Sequence, residues 1–260
     1  MDSPPIDGPS QDSWNPPLPA RPEAPVSRWF AAVQVFLVCC IPTQTVVFLA
    51  LLGSGSPMGS DGSMLVEPSK MSLEFFAMAS LFDTALVAIL IRVFLAISGE
   101  TSREVFLGSR PVLREALRGL ALVPVLWIAV ITLVYVITTL LPGLHNVPNN
   151  PLGAYMDTPL KAGVFIMVVI LAGGVREELQ RGFILRRFDQ RLGGAWIGLA
   201  VFSVAFGLFH LQQGFDAALA VGLLGVIWGV LYIRRGSVVA SMVSHAGFDV
   251  VQVLLKSLTT

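Results

Sequence analysis

The sequence has few charged side chains and only two cysteines, and it has no excess of basic residues. Only 13% of the 260 residues are charged and 54% are hydrophobic, a balance too apolar for a water-soluble domain of this size. Seventeen basic residues offset seventeen acidic ones, so no basic excess indicates a nucleic-acid partner. The two cysteines, Cys39 and Cys40, are adjacent in an apolar run, which excludes a disulfide framework or a thiolate metal cage.

The N-terminal segment lacks both an apolar run and the basic start of a signal peptide. Residues 1–27 contain eight prolines and scattered acidic side chains, a composition typical of disorder. We therefore predict a disordered cytoplasmic leader over residues 1–27. The remainder, residues 28–260, contains no repeat of fixed period and is predicted to form one polytopic membrane domain.

Long apolar runs fill the rest of the chain. A helix that crosses about 30 Å of hydrocarbon needs about 20 mainly apolar residues, and turn-forming Gly, Pro and Asn residues separate the runs. The sequence thus predicts an all-α integral membrane protein, a bundle of about seven transmembrane helices. The runs lie near residues 29–53, 75–98, 120–141, 160–185, 195–210, 217–233 and 238–255.

Basic residues are unevenly divided between the two sides of this predicted bundle. With the N-terminus inside, twelve of the seventeen Lys and Arg residues fall on the inner side, and only Lys70, Lys161 and Lys256 fall outside. Because inner loops are enriched in Lys and Arg, we predict a cytoplasmic N-terminus. The loop that contains His145 is then external.

Ionisable side chains within the later runs are the main functional clue. Each costs about 2.5 to 3.5 kcal/mol at the bilayer centre, so such groups normally face a bundle interior or a wet cavity. Structural ion pairs and snorkelling side chains are the alternative explanation. The fourth, fifth and seventh runs contain the candidates, which are Arg176, Glu177, Glu178, Arg181, His210, His245 and Asp249.

Glu177 and Glu178 lie four and three residues before Arg181, so on a helix either carboxylate can reach the guanidinium. Arg181 would hold one carboxylate ionised, while the other would be free to take part in catalysis. A carboxylate with histidines in a low-dielectric pocket can take a proton from water, and imidazole can donate to an oxyanion or a leaving group. Peptide-bond hydrolysis needs these groups.

Three short motifs in order resemble the CAAX protease and bacteriocin-processing family, also called the type II CAAX prenyl endopeptidase or Abi family. The family is marked by paired glutamates followed by an arginine, then Phe-x-x-x-His, then His-x-x-x-Asn or Asp. Residues 160–255 contain Glu177-Glu178-Leu179-Gln180-Arg181, Phe206-Gly207-Leu208-Phe209-His210 and His245-Ala246-Gly247-Phe248-Asp249. The first motif has two residues between the second Glu and the Arg, where the family usually has three. Both registers of the glutamates therefore stay open.

The resemblance implies an intramembrane endopeptidase of the bacterial inner membrane that cleaves a membrane-associated peptide or protein. Its implied catalytic residues are Glu177, Glu178, Arg181, His210, His245 and Asp249. Catalysis by a glutamate-activated water and catalysis by a divalent metal such as zinc are both compatible with the family. Two histidines and a glutamate would form an open zinc site of reasonable type. A non-catalytic immunity or scaffold protein and, less favoured, a proton-coupled transporter are the alternatives.

Depth in the membrane adds one structural expectation. At about 1.5 Å per residue, Glu177 lies about 13 Å from Arg186, whereas His210 lies about 24 Å from Gly194. The two side chains can share a level if the fourth helix continues to Arg191 and protrudes from the membrane. We expect this longer helix.

Overall fold

The computed structural model describes residues 26–39, 42–43, 45, 49, 72–147 and 150–258, the side chain of Ala154 excepted. These residues form helices and connecting turns without any strand, as the sequence predicted. The predicted leader lies outside the described residues except for Val26 and Ser27.

Nine α-helices and one π-helical segment are described. Four of them begin at a side chain that caps the first turn, namely Ser27, Ser72, Thr101 and Thr158. They are α1 Arg28–Val38, α2 Leu73–Ile97, α3 Ser102–Phe106, α4 Val112–Leu140, α5 Pro159–Val168, the π segment Val169–Glu177, α6 Glu178–Arg191, α7 Ala195–Leu208, α8 Phe215–Arg235 and α9 Val239–Leu258.

Four helical stretches are long and apolar enough to cross a bilayer. They are Leu73–Ile97, Val112–Leu140, Pro159–Arg191 and Phe215–Arg235. Many large apolar side chains on them are exposed, as lipid-facing surfaces require. The chain is therefore an integral membrane protein. The count of seven segments stays a prediction, because α1 and α7 are shorter apolar helices and the first run continues into residues outside the described part.

The fourth segment differs from a regular helix. It runs to Arg191, which confirms the expected extension beyond residue 185. Its middle, Val169–Glu177, is a π-helix, so the α-helical spacing assumed for the glutamates and Arg181 begins only at Glu178. A π-helix bonds residue i to i+5 and is rare outside functional sites. The register of Glu177 therefore differs from the one that a 3.6-residue period gives.

Helix α9 lies between α4 and the π segment. Both contacts are close because a glycine faces α9 from each side. A Cβ on Gly119 would lie 2.6 Å from the carbonyl oxygen of Ala240, and a Cβ on Gly174 would lie 2.5 Å from the Cβ of Ala246. The backbone of α9, which carries His245 and Asp249, is thereby fixed against the fourth segment.

At the predicted cytoplasmic end, an ion-pair cluster around Arg187 joins three helices. Arg187 is fully buried and donates to Glu100, to Gln34 at 2.5 Å and to Ser98 at 3.1 Å. Burial opposes ionisation of Glu100, but the guanidinium of Arg187 and the neighbouring hydrogen bonds outweigh it and hold the pKa of Glu100 below its ordinary value. The cluster anchors the C-terminal part of α6.

At the other end, the segment before α5 is pinned to the start of α8. His145 Nδ1 lies 2.7 Å from Asp216 Oδ2, and the backbone N–H of Phe215 donates to Asn146 Oδ1 at 2.8 Å. His145 is thus half-exposed and paired with Asp216. The pairing restrains the loop on the side where α7 ends.

Candidate active site

A buried ion pair forms the base of the site. Arg181 on α6 is fully buried and donates to Glu178, one turn earlier. Its guanidinium carbon lies 4.9 Å from the ring centre of Phe206 and 5.5 Å from that of Trp228, distances at which cation–π attraction operates. Glu178 and Arg181 therefore form an ion pair in a low-dielectric setting, in which each offsets the other's charge.

The same carboxylate fixes His245 on α9. Its Oε1 lies 2.9 Å from Nδ1 of His245, and the imidazole stacks on Trp228 with 3.8 Å between ring centres and 15° between planes. Trp228 is itself held by a 3.0 Å hydrogen bond from its indole N–H to Ser244 Oγ. Since Glu178 can only accept, Nδ1 carries the proton that it donates. Nε2 of the neutral ring is then left with a lone pair.

Two further carboxylates face this Nε2. Oε2 of Glu177 lies 3.8 Å away and Oδ2 of Asp249 lies 3.6 Å away, both too long for direct hydrogen bonds. Their side chains are 16% and 22% exposed, against 1% for Glu178. Gly173 leaves the room beside them, because a Cβ there would lie 2.6 Å from Asp249 Oδ2 and 4.0 Å from His245 Nε2.

Glu177 and Glu178 thus have different environments. Arg181 pairs with Glu178, whereas Glu177 lies beside Arg176, whose Nη2 is 3.2 Å from the Oε1 of Glu177. The sequence left either glutamate as the partner of Arg181, and in the structure that partner is Glu178. Glu177 is the more exposed of the two carboxylates, as expected for the register in which Glu177 activates water.

His210 reaches the cluster indirectly. It follows α7, and its Nδ1 lies 2.7 Å from the backbone oxygen of Phe206. The Phe206 ring lies 4.9 Å from the His210 ring and 6.2 Å from the His245 ring. The structure therefore packs both imidazoles on one phenyl ring without direct contact. The other five predicted residues, Glu177, Glu178, Arg181, His245 and Asp249, form one contiguous cluster.

One member of the cluster was missed by sequence reasoning. Asp83 on α2 has no charged partner at helical spacing in the sequence, and its Oδ2 lies 3.5 Å from Nη1 of Arg176. Both groups are unusual for a membrane span, so a search for charge-complementary groups on different segments would have suggested the pair. Periodicity within one segment cannot reveal this pair, because its two members lie on different segments.

The residues do not fit the zinc site that the family resemblance left open. Within the described part of the chain, no three His, Cys, Asp or Glu side chains are grouped so that they could hold a metal ion. His210 contacts Phe206 and not the carboxylates. The chemistry below is accordingly derived from the protein's own side chains.

Comparison with known proteins supports the resemblance. Residues 158–251 match the family described as Type II CAAX prenyl endopeptidase Rce1-like, which confirms the suspected family for that segment. The matched range includes all six predicted site residues and excludes Asp83. No curated protein and no solved structure matches the chain.

Proposed function

Because residues 158–251 carry the pattern of the Type II CAAX prenyl endopeptidase Rce1-like family, we propose that this membrane protein is an intramembrane endopeptidase with Glu177 as its general base. The observation that carries the proposal is the convergence of two half-buried carboxylates on the imidazole Nε2 of His245. Glu178 and Arg181 hold that imidazole in one tautomer and one orientation. This division of labour resembles other sites in which one carboxylate orients and another reacts.

Water activation follows from the spacing of Glu177 and His245. Atoms 3.8 Å apart can both accept a hydrogen bond from one water, each at about 2.8 Å. In this arrangement the water donates one proton toward Glu177 Oε2 and the other toward Nε2. Its remaining lone pairs face the substrate carbonyl carbon. A base within hydrogen-bond reach of the water satisfies the geometric requirement for general base catalysis.

The reaction then needs one proton transfer in each direction. Glu177 takes a proton from water as the oxygen bonds to the carbonyl carbon, which gives a tetrahedral oxyanion. The protonated Glu177 returns the proton to the leaving nitrogen as the C–N bond breaks. Asp249, when it carries a proton, can donate a hydrogen bond to the oxyanion, as protonated carboxyl groups do in other low-dielectric sites. We assign His210, at the edge of the cluster, to contacts with the bound peptide.

The proposed substrate is a peptide or protein segment that enters the site from the bilayer. Apolar surface on the spanning helices faces lipid, and the site lies between those helices rather than on a soluble domain. The CAAX part of the family name describes the family and does not specify a prenylated substrate for this chain. We propose the inner membrane of a bacterium as its location, with the N-terminus in the cytoplasm.

A second candidate function is a non-catalytic membrane partner with the same fold. The observation that favours it is the contact between Arg176 and Glu177, since a cation stabilises the ionised carboxylate and weakens it as a base. The shortened first motif points the same way. Under this hypothesis the cluster is a structural ion-pair network.

A cleavage assay separates the two functions. The purified chain in detergent or in liposomes would be incubated with a mixture of fluorogenic membrane peptides, and products identified by mass spectrometry. We expect cleavage by the wild type and at least about a hundredfold loss in Glu177→Gln and in His245→Ala. Glu74→Gln is the matched control, since it removes a carboxylate charge from an exposed position of α2. Equal cleavage by wild type and Glu177→Gln would exclude Glu177 as the base.

A further inference from the structure

A line of polar contacts connects the first helices of the chain to the proposed base. Arg176 lies at its centre, with Nη2 3.2 Å from Glu177 Oε1 and Nη1 3.5 Å from Asp83 Oδ2. Nη1 also donates to Gln180 Oε1 at 3.3 Å, and the Gln180 amide donates to the backbone oxygen of Val38 at 2.5 Å. Helices α1 and α2 are thus joined to the site through one guanidinium.

The position of this guanidinium is set by the π segment. Arg176 is the last residue but one of that segment, and its Nε donates to the backbone oxygen of Ala172 at 3.2 Å. The arginine side chain therefore folds back along its own helix and presents its two outer nitrogens to carboxylates on either side. The Arg176, Asp83 and Glu177 side chains are only 11%, 9% and 16% exposed. At this burial, charges act on one another with little screening by water.

We propose that Asp83 is a positioning residue that holds Arg176 between two carboxylates and so keeps Glu177 basic enough to accept a proton. The proposal rests on Glu177 being the base of the proposed peptidase. Asp83 lies outside the segment that matches the family. The first half of the chain is therefore part of the working site and not only a membrane anchor for it.

The effect follows from shared charge. A cation that faced Glu177 alone would strongly favour the ionised carboxylate and lower its affinity for a proton. Asp83 shares that cation and adds its own repulsion, so the proton affinity of Glu177 stays higher. The other groups that face Glu177 are His245 and Asp249 on α9, while the adjoining Glu178–Arg181 pair is neutral as a unit.

Charge removal at the two ends of the network should therefore act in opposite directions. In Asp83→Asn the full charge of Arg176 falls on Glu177, and the proton affinity of Glu177 falls. In Arg176→Gln the cation is lost, and the proton affinity rises. We expect shifts of about 0.5 to 1 pH unit in each direction, since a neighbouring charge shifts a carboxylate by one unit or more. A purely structural network predicts two damaged proteins and no opposite shift.

Carboxyl labelling measures this shift without any need for catalysis. The full chain in detergent would be treated with dicyclohexylcarbodiimide, which reacts with protonated carboxyl groups, over a range of pH. The labelled fraction of Glu177 would be read by mass spectrometry. We expect the midpoint to move to lower pH in Asp83→Asn, to higher pH in Arg176→Gln, and to stay at the wild-type value in the control Glu74→Gln. An unchanged or raised midpoint in Asp83→Asn would overturn the proposal.

The pH profile of cleavage tests the consequence for catalysis. In Asp83→Asn the acid limb of kcat should move to lower pH with a fall of about two- to threefold in the plateau rate and little change in KM, as a weaker base requires. Asp83→Glu, which restores the charge, should recover most of the rate. A fall in kcat without a shift of the acid limb, and without recovery of the rate in Asp83→Glu, would also overturn the proposal. A wild type that is labelled as expected but cleaves nothing would instead refute the proposed function alone.

Discussion

The two neighbouring glutamates should fail in different ways when their charges are removed. Glu178 is 1% exposed and its partner Arg181 is fully buried, so Glu178→Gln leaves a guanidinium in a low-dielectric cage without its counter-charge. Breaking one side of a buried pair costs about 3 to 5 kcal/mol. At about 2 to 4 °C per kcal/mol for a chain of this size, the melting temperature should fall by about 6 to 20 °C.

The same change at Glu177 should cost much less stability. Glu177→Gln leaves Arg176 with a second carboxylate, Asp83 at 3.5 Å, whereas Glu178 is the carboxylate that the described residues place in ion-pair contact with Arg181. The expected pattern is a stable but inactive Glu177→Gln and an unstable Glu178→Gln. The double variant Glu178→Gln with Arg181→Met should regain part of the lost stability, because it removes the stranded charge.

Thermal unfolding in detergent, followed by size-exclusion chromatography after heating, measures the difference. Activity of each variant would be normalised to the folded fraction at the assay temperature. The assignment would be refuted if Glu178→Gln melted within about 2 °C of wild type while Glu177→Gln lost more. A double variant that is less stable than Glu178→Gln would show that the guanidinium is not stranded but satisfied elsewhere.

Three further predictions concern the space, the anchor and the topology. Gly173→Ala should reduce cleavage at least about tenfold, because the added Cβ would lie 2.6 Å from Asp249 Oδ2. The control Gly163→Ala should leave cleavage unchanged, because a Cβ there meets no neighbouring element within 4 Å. Equal cleavage rates of the two variants would contradict this prediction. Because the folded pKa of Glu100 is lowered, the wild type should be more stable than Glu100→Gln at neutral pH, and this advantage should disappear as the pH falls below 4.5 and through the folded pKa. If the melting temperatures of the two proteins differed by a constant amount down to acid pH, this prediction would be wrong. In a chain without native cysteines, a cysteine at Asn150 should react with an impermeant maleimide only from outside, and reaction only from the cytoplasmic side would reverse the topology.

The membrane helices could be predicted from sequence because lipid imposes a simple requirement. A spanning segment must be apolar over about 20 residues and must satisfy its own backbone, and both conditions are readable from composition. The extension of the fourth helix to Arg191 could also be anticipated from the depth of His210. The first run and the leader lie largely outside the described residues, so those expectations stay predictions.

The details of the site could be predicted only where they depend on order along the chain. The three motifs mark the correct segment, since residues 158–251 match the family. The π segment escapes a reading of periodicity, because its backbone register is fixed by packing against α9 at Gly174 and Ala246. The contact between Asp83 and Arg176 joins residues far apart in sequence, and one sequence carries no direct signal for it.

The shortened first motif is accommodated by the geometry of the helix. In the family the second glutamate and the arginine are four residues apart; here Glu178 precedes Arg181 by three, and the ion pair still forms. On an α-helix both intervals bring side chains to neighbouring positions, about 40° and 60° from eclipse on opposite sides. A one-residue deletion would change the rotation around the helix axis between Arg181 and the residues that precede Glu177. The π segment lies at that place, ends at Glu177, and adds a residue to the turn before α6. Glu177 is the last residue of the π segment and lies 3.8 Å from His245, whereas Glu178 begins α6 and is paired with Arg181.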